Sequence, residues 1–94
     1  MNIRNIALEL LLSNGFTPEQ IDEDMMADTE EVVYDRLITV ILIALAENDK
    51  SIFMSLIDDE KLQDAIEYAK YKLDNYDTMI EKAVEEIKKE YNEW

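Results

Sequence analysis

Carboxylates are the reactive groups of this chain, because the sequence holds 23 acidic residues and neither histidine nor cysteine. Histidine is the usual general base, cysteine is the usual thiol nucleophile, and both are strong ligands for transition metals. Carboxylates one helical turn apart can share a Mg²⁺ or Mn²⁺ ion. Four pairs have this spacing: Asp28 with Glu31, Asp64 with Glu67, Asp74 with Asp77, and Glu90 with Glu93. In so acidic a chain such pairs arise by chance, so we predict a protein that is not an enzyme and uses no metal or cofactor.

The acids instead indicate binding surfaces, and the first candidate is a stretch that we call the acidic block. It contains eight acids and no lysine or arginine: Glu19, Asp22, Glu23, Asp24, Asp28, Glu30, Glu31 and Asp35. Acids near a helix start are favoured by the helix dipole, but like charges one turn apart repel each other. Because the dipole accounts for only some of these residues, we predict that the block binds a partner.

The second candidate is the outward face of the C-terminal part of the chain. In the heptad phase described below, it carries Asp64, Glu67, Tyr68, Tyr71 and Asp74. Tyrosine is enriched at binding hot spots because it combines a large apolar ring with a hydrogen-bonding hydroxyl. We predict a second partner-binding face here. The alternative, a partly buried tyrosine that leans on another helix, remains open.

The net charge of -14 restricts the class of partner. It repels free nucleic acid and anionic membranes, and it attracts a basic protein surface. Acids at steps of three and four on a helix lie about 5 to 6 Å apart, comparable with successive phosphates of a DNA strand. In composition, the chain resembles the small acidic helical inhibitors that phages use against restriction and CRISPR nucleases. This resemblance implies an inhibitor that mimics nucleic-acid charge and blocks a nuclease or another nucleic-acid-binding protein.

The composition predicts an all-α fold, because the chain has one glycine and one proline and is rich in leucine, isoleucine, glutamate and lysine. Its 94 residues are enough for a single domain, 1–94. From Val32 to Ala46 only Asp35, Arg36 and Thr39 are polar, which predicts a buried central helix over about 29–47. The uninterrupted apolar run is shorter than the roughly 20 residues of a membrane crossing.

Two helices are predicted before the central one. The first covers about 2–14 and ends at Gly15, a residue suited to the left-handed C-terminal cap. Thr17, Pro18 and Gln20 then have the spacing of a capping box, which predicts a short helix from Pro18 to about Met26.

After a short apolar segment over 51–57, the last segment, about 59–92, has an apolar heptad seam: Leu62, Ile66, Ala69, Leu73, Tyr76, Ile80, Ala83 and Ile87. Asp74, Asn75 and Asp77 are poor helix formers, but the seam keeps its phase across them. We therefore predict one long helix, continuous or kinked, in a small bundle-like domain of about five helices.

The seam also supports an alternative function. A heptad seam that is not covered by its own chain pairs with a second copy, here through Leu73, Tyr76, Ile80, Ala83 and Ile87. The chain would then be a structural or adaptor module that forms a homodimer through this seam. The lack of cysteine and of a signal-peptide pattern predicts a cytoplasmic protein in either case.

Overall fold

Five α-helices and no strand make up residues 2–92, the part of the chain that the computed structural model describes. The helices are α1 (Ile3–Ser13), α2 (Glu23–Ala44), α3 (Glu47–Asp58), α4 (Leu62–Lys72) and α5 (Tyr76–Asn92). The predicted all-α, bundle-like fold of about five helices is confirmed. Several predicted helix boundaries are wrong.

The first helix is predicted correctly at both ends. The side chain of Asn2 caps its start by accepting a hydrogen bond from the N–H of Asn5. At its end, Gly15 has a φ of 90°, and the N–H of Phe16 donates to the carbonyl of Leu11 at 3.2 Å. This is the Schellman arrangement, in which glycine adopts the left-handed conformation without a steric cost.

The predicted short helix over 18–26 is wrong. The N–H of Thr17 does donate to Oε1 of Gln20 at 2.9 Å, as a capping box requires, but the chain makes only one turn there. The carboxylate of Asp22 accepts a hydrogen bond from the N–H of Met25 at 2.8 Å, and α2 starts at this cap. The central helix therefore begins before the predicted start near Thr29.

The predicted single helix over 59–92 is also wrong, because the chain leaves the helical conformation between Lys72 and Tyr76. Leu73 is extended, and Asp74 and Asn75 form a turn. The constant phase of the seam has a different origin from the one predicted. Each of the two helices α4 and α5 buries one face of its own against other parts of the chain.

The core consists of two clusters of buried side chains. The first cluster joins α1, α2 as far as Leu37 and α5 from Ala83 onward: Ala7, Leu10, Leu11, Met26, Val33, Leu37, Ala83 and Ile87. The second cluster joins the end of α2 to α3, α4 and the start of α5: Ile38, Ile41, Leu45, Phe53, Ala65, Ile66, Ala69 and Tyr76. The two clusters follow one another along α2 and α5, which contribute to both. The molecule is elongated, with extents of 43 × 25 × 18 Å.

The central helix is less enclosed than the sequence predicts. Val33, Leu37 and Ile41 are fully buried, but Ile43 on another face of α2 is 75% exposed. Four further helices arranged around two separate clusters do not surround α2 on every side. No helix in the described part of the chain combines the length and the apolar character that a membrane crossing needs.

Candidate functional site

Four acids of the block form one exposed line on α2, which we call the acidic column: Asp24, Asp28, Glu31 and Asp35. Their steps of four, three and four residues keep them on a single helix face. Met26, Val33 and Leu37 point the opposite way, into the first cluster. At 1.5 Å per residue, the column is about 16 Å long. The column is therefore a row of charges on a helix whose opposite face is packed into the core.

Within residues 2–92, none of the four column carboxylates takes part in an ion pair. Other acids of the block do. Arg4 on α1 donates to Glu23 at 2.9 Å and to Glu30 at 3.0 Å, and the hydrogen bond that it donates to Glu23 is the main reason that the pKa of Arg4 is raised. Arg4 is far from both acids in sequence, so no local pattern predicted these contacts.

The two remaining acids of the block, Glu19 and Asp22, lie before α2 in the sequence. Glu19 is exposed on the single turn over 18–20, and the carboxylate of Asp22 is the N-cap of α2. The structure therefore divides the predicted block into the column, two acids paired with Arg4, one helix cap and one exposed residue. Only the column is a regular array of unpaired charge.

Arg36 and Lys88 form ion pairs with acids outside the column. Arg36 follows the last column residue and forms a two-pronged salt bridge with Glu90 on α5, one contact being 3.0 Å. Hydrogen bonding to Arg36 lowers the pKa of Glu90, and the same contact raises the pKa of Arg36. On the other side of α5, Lys88 lies 3.3 Å from Glu9 of α1. These pairs tie helices together and leave the column uncompensated.

The predicted face on α4 is different. Asp64 and Glu67 are exposed, and Tyr71 is 81% exposed, as predicted. Tyr68 is half-buried and donates a hydrogen bond to Asp49 of α3 at 2.7 Å, which raises the pKa of the phenol. The open alternative, a tyrosine leaning on another helix, therefore describes Tyr68.

A basic side chain also lies within that face. The Nζ atom of Lys72 is 5.7 Å from the ring centroid of Tyr68 and 5.5 Å from that of Tyr71. It is also 3.8 Å from Asp49. Asp74 lies in the turn after α4. The α4 face is thus a mixed aromatic and charged surface, and it belongs to the second cluster, whereas the column lies on the first.

The residues predicted for self-association are core residues of the chain itself. Ile87 is 1% exposed, and Ala83 and Tyr76 are each 5% exposed. Leu73 and Ile80 are partly buried and pack against the second cluster, and Ile80 also packs against the first. The helix α5, which carries four of these residues, packs against α1, α2 and α4. An interface between copies through these residues would require the domain to open.

Sequence reasoning missed a line of exposed apolar residues on α1. Leu8 and Leu12 are 39% and 43% exposed, and Phe16 beyond the helix end is 38% exposed. A signal was present, because the run Leu10 to Leu12 together with Leu8 holds more leucine than one buried helix stripe can accommodate.

Among residues 2–92, no group of three or more acidic side chains could hold a metal ion. The predicted pair of Glu90 with Glu93 includes a residue outside the described part of the chain. Comparison of the chain with protein-family models, curated proteins and solved structures gives no match.

Proposed function

We propose that this chain is a non-enzymatic binding protein that sets the acidic column of α2 against a basic protein surface. The most concrete form of the proposal is an inhibitor that occupies the nucleic-acid-binding surface of a nuclease or another nucleic-acid-binding protein. One observation carries it: Asp24, Asp28, Glu31 and Asp35 are exposed on one helix face and have no ion pair within residues 2–92.

The physical argument concerns the cost of this arrangement. The neighbouring acids of the column repel each other by a few tenths of a kcal/mol for each pair. The chain has basic residues that reach α2, but Arg4 binds Glu23 and Glu30, and Arg36 binds Glu90. A cationic partner would remove the repulsion on binding, so the same charges that weaken the free protein would favour the complex.

The proposed mechanism is competition for one surface. The column presents carboxylates at nearly fixed spacing, because its helix is held by buried residues on the opposite face. Lysines and arginines that bind phosphates can bind these carboxylates instead, and the negative field speeds the encounter. The partner would then be unable to bind DNA or RNA at the occupied surface. A cytoplasmic location fits this role and stays a prediction.

No observation favours the adaptor alternative, because three of its five seam residues are buried within the chain and the other two are partly buried against its core. The α4 face with Asp64, Glu67 and Tyr71 stays a prediction of a second contact region. It is weaker than the column because Lys72 lies over the Tyr71 ring.

The test compares two variants that remove the same charge from different places. The column variant carries D24N, D28N, E31Q and D35N. The control variant carries D58N, D59N, E81Q and E85Q, which are exposed acids without an ion pair in the described structure. Asp22 is left intact in both because it caps α2.

The measurement is DNA cleavage by a panel of purified restriction and CRISPR nucleases with each protein added. We expect the wild-type chain and the control variant to inhibit a susceptible nuclease, with inhibition weakening as salt rises. The column variant should inhibit at least about tenfold less, since several charge-assisted contacts are lost. Equal loss in both variants, or no inhibition of any nuclease, would contradict the proposal.

A folding check accompanies this test. Removing the column charges relieves repulsion but also removes the favourable position of Asp24 in the first turn of α2. We expect the two effects to offset each other within about 1 kcal/mol. Thermal unfolding followed by circular dichroism therefore separates lost binding from lost structure.

A further inference from the structure

The line of exposed apolar residues on α1 is separate from the acidic column. We call Leu8, Leu12 and Phe16 the apolar surface; each is about two-fifths exposed, at 39%, 43% and 38%. Leu8 and Leu12 are four residues apart and lie on one side of α1, and Phe16 directly follows the glycine that ends the helix. Single exposed apolar residues are ordinary in proteins, but contiguous ones mark interaction sites.

A pocket lies next to this surface, between α1 and the segment that leads into α2. It has a volume of about 240 Å³, and Arg4, Leu8, Pro18, Ile21 and Met26 are among the residues that line it. Small-molecule sites are usually larger, roughly 300 to 1,000 Å³. The pocket therefore suits a side chain of a protein partner better than a free ligand.

The charges around the surface select the occupant. Glu19, Asp22 and Glu23 lie on the segment that borders the pocket, and the only basic residues before Lys50 are Arg4 and Arg36. Arg4 lines the pocket, but its charge is compensated by Glu23 and Glu30. A second copy of this chain, with a net charge of -14, would be repelled, and so would an anionic membrane. A cationic segment would be attracted.

We infer that the apolar surface binds a basic amphipathic helix of a partner protein. Apolar side chains at steps of three and four on that helix would lie on Leu8, Leu12 and Phe16, and one of them would enter the pocket. Its lysines and arginines would face Glu19, and would compete with Arg4 for Glu23. The inference does not depend on the proposed function, because no residue of the acidic column belongs to this surface.

The probe is a synthetic peptide of about 18 residues, built from leucine and lysine so that the leucines share one helix face. The matched control peptide has the same composition in a scrambled order that spreads the leucines around the helix. Binding to the full chain is measured by fluorescence anisotropy. We expect the amphipathic peptide to bind at least about tenfold more tightly than the scrambled one.

Two variants locate the contact. L8Q with L12Q should weaken binding about tenfold, because it removes two apolar side chains from the surface. I43Q with I52Q is the matched control, since Ile43 and Ile52 are also exposed but lie on α2 and α3. This control should bind the peptide as the wild-type chain does. Equal binding of both peptides, or equal loss in both variants, would overturn the inference in favour of unspecific charge attraction.

Amide chemical shifts of the wild-type chain keep the test decisive even where a variant is unstable. We expect peptide-induced changes over residues 4–21. Changes confined to Asp24, Asp28, Glu31 and Asp35 would overturn the inference and leave the proposed function untouched. Analytical ultracentrifugation tests the alternative that a second copy of the chain binds this surface. If the wild-type chain self-associates and the L8Q/L12Q variant does not, the surface is an interface between copies and the inference is wrong.

Discussion

The two ends of the molecule handle charge in different ways. At the first cluster, Arg4 joins α1 to α2, and Arg36 and Lys88 join α5 to α2 and to α1. At the second cluster, Lys72 lies among Tyr68, Tyr71 and Asp49 on two helices that are neighbours in sequence. Within residues 2–92, unpaired acids occur at both ends, but at the first end four of them share one face of α2 as the acidic column.

The same comparison holds for helix ends. At the first end, α1 closes with Gly15 at a φ of 90°, and at the second end, α3 closes in the same arrangement with Glu60 at a φ of 62°. The N–H of Lys61 donates to the carbonyl of Leu56 at 2.9 Å, as Phe16 does to Leu11. The same helix-ending motif is thus formed once with glycine, which suits the left-handed conformation, and once with glutamate, which is strained in it.

The largest expected effect tests whether the two ends are independent. Phe53 is fully buried in the second cluster, and F53A should lower the free energy of unfolding by about 3 to 5 kcal/mol through lost burial and a cavity. Because α2 and α5 belong to both clusters, urea unfolding followed by circular dichroism should remain a single transition. Amide hydrogen exchange should show α1 losing protection along with α4.

If α1 retained full protection in F53A while α3 and α4 exchanged freely, the ends would be separate folding units. L37A is the counterpart in the first cluster, since Leu37 is also fully buried. It should lower the free energy of unfolding by about 2 to 5 kcal/mol.

The two helix ends predict opposite effects of about 1 kcal/mol each. G15A should destabilise, because alanine at a φ of 90° is strained although no atom lies within 4 Å of the added Cβ. E60G should stabilise, because glycine relieves the strain that glutamate carries at a φ of 62°. Both shifts are measurable by urea unfolding, and a stabilising G15A or a destabilising E60G would show that the two caps are not equivalent.

The smallest expected effect concerns the salt bridge between Arg36 and Glu90. The pKa of Glu90 is lower in the folded chain than the ordinary value, chiefly because Arg36 donates to its carboxylate. The folded state therefore binds this proton less readily than the unfolded state, so the contribution is present above the unfolded pKa and is lost as pH falls through the folded pKa.

E90Q should accordingly lower the melting temperature at pH 7 by a small amount, and the difference from the wild-type chain should close under acid conditions. E85Q is the control for removal of one exposed glutamate from α5, since Glu85 has no ion pair within the described residues. A difference that persists at low pH would mean that packing, and not the ion pair, is responsible.

The sequence predicts the helical class and the end of α1 because both depend on local properties. Glycine at the end of an apolar period is a direct indication of a left-handed cap, whereas Glu60 at the equivalent place gives no such indication. The break in the helix from Leu73 to Asn75 was not predicted, for a different reason. A heptad pattern records that a face is buried, but it does not record whether one partner or two partners cover it.

For the candidate site, the sequence located the acidic block, but it did not indicate which of its acids are unpaired and which pair with Arg4 or cap α2. Because the central helix was predicted to start near Thr29 and not directly after Asp22, the helix phase that aligns Asp24 with Glu31 was lost. The contacts of Arg4 with Glu23 and Glu30 depend on how α1 packs against α2, which no local pattern specifies. Leu8 and Leu12 lie off the buried stripe of α1, and their exposure depends on which faces of α1 the other helices cover.

Ile80 is the side chain that packs against both clusters. It sits where the two halves of the elongated body meet, and it lies on the helix that crosses from one to the other. A force applied along the long axis would therefore pass through continuous packing and not through a loose joint.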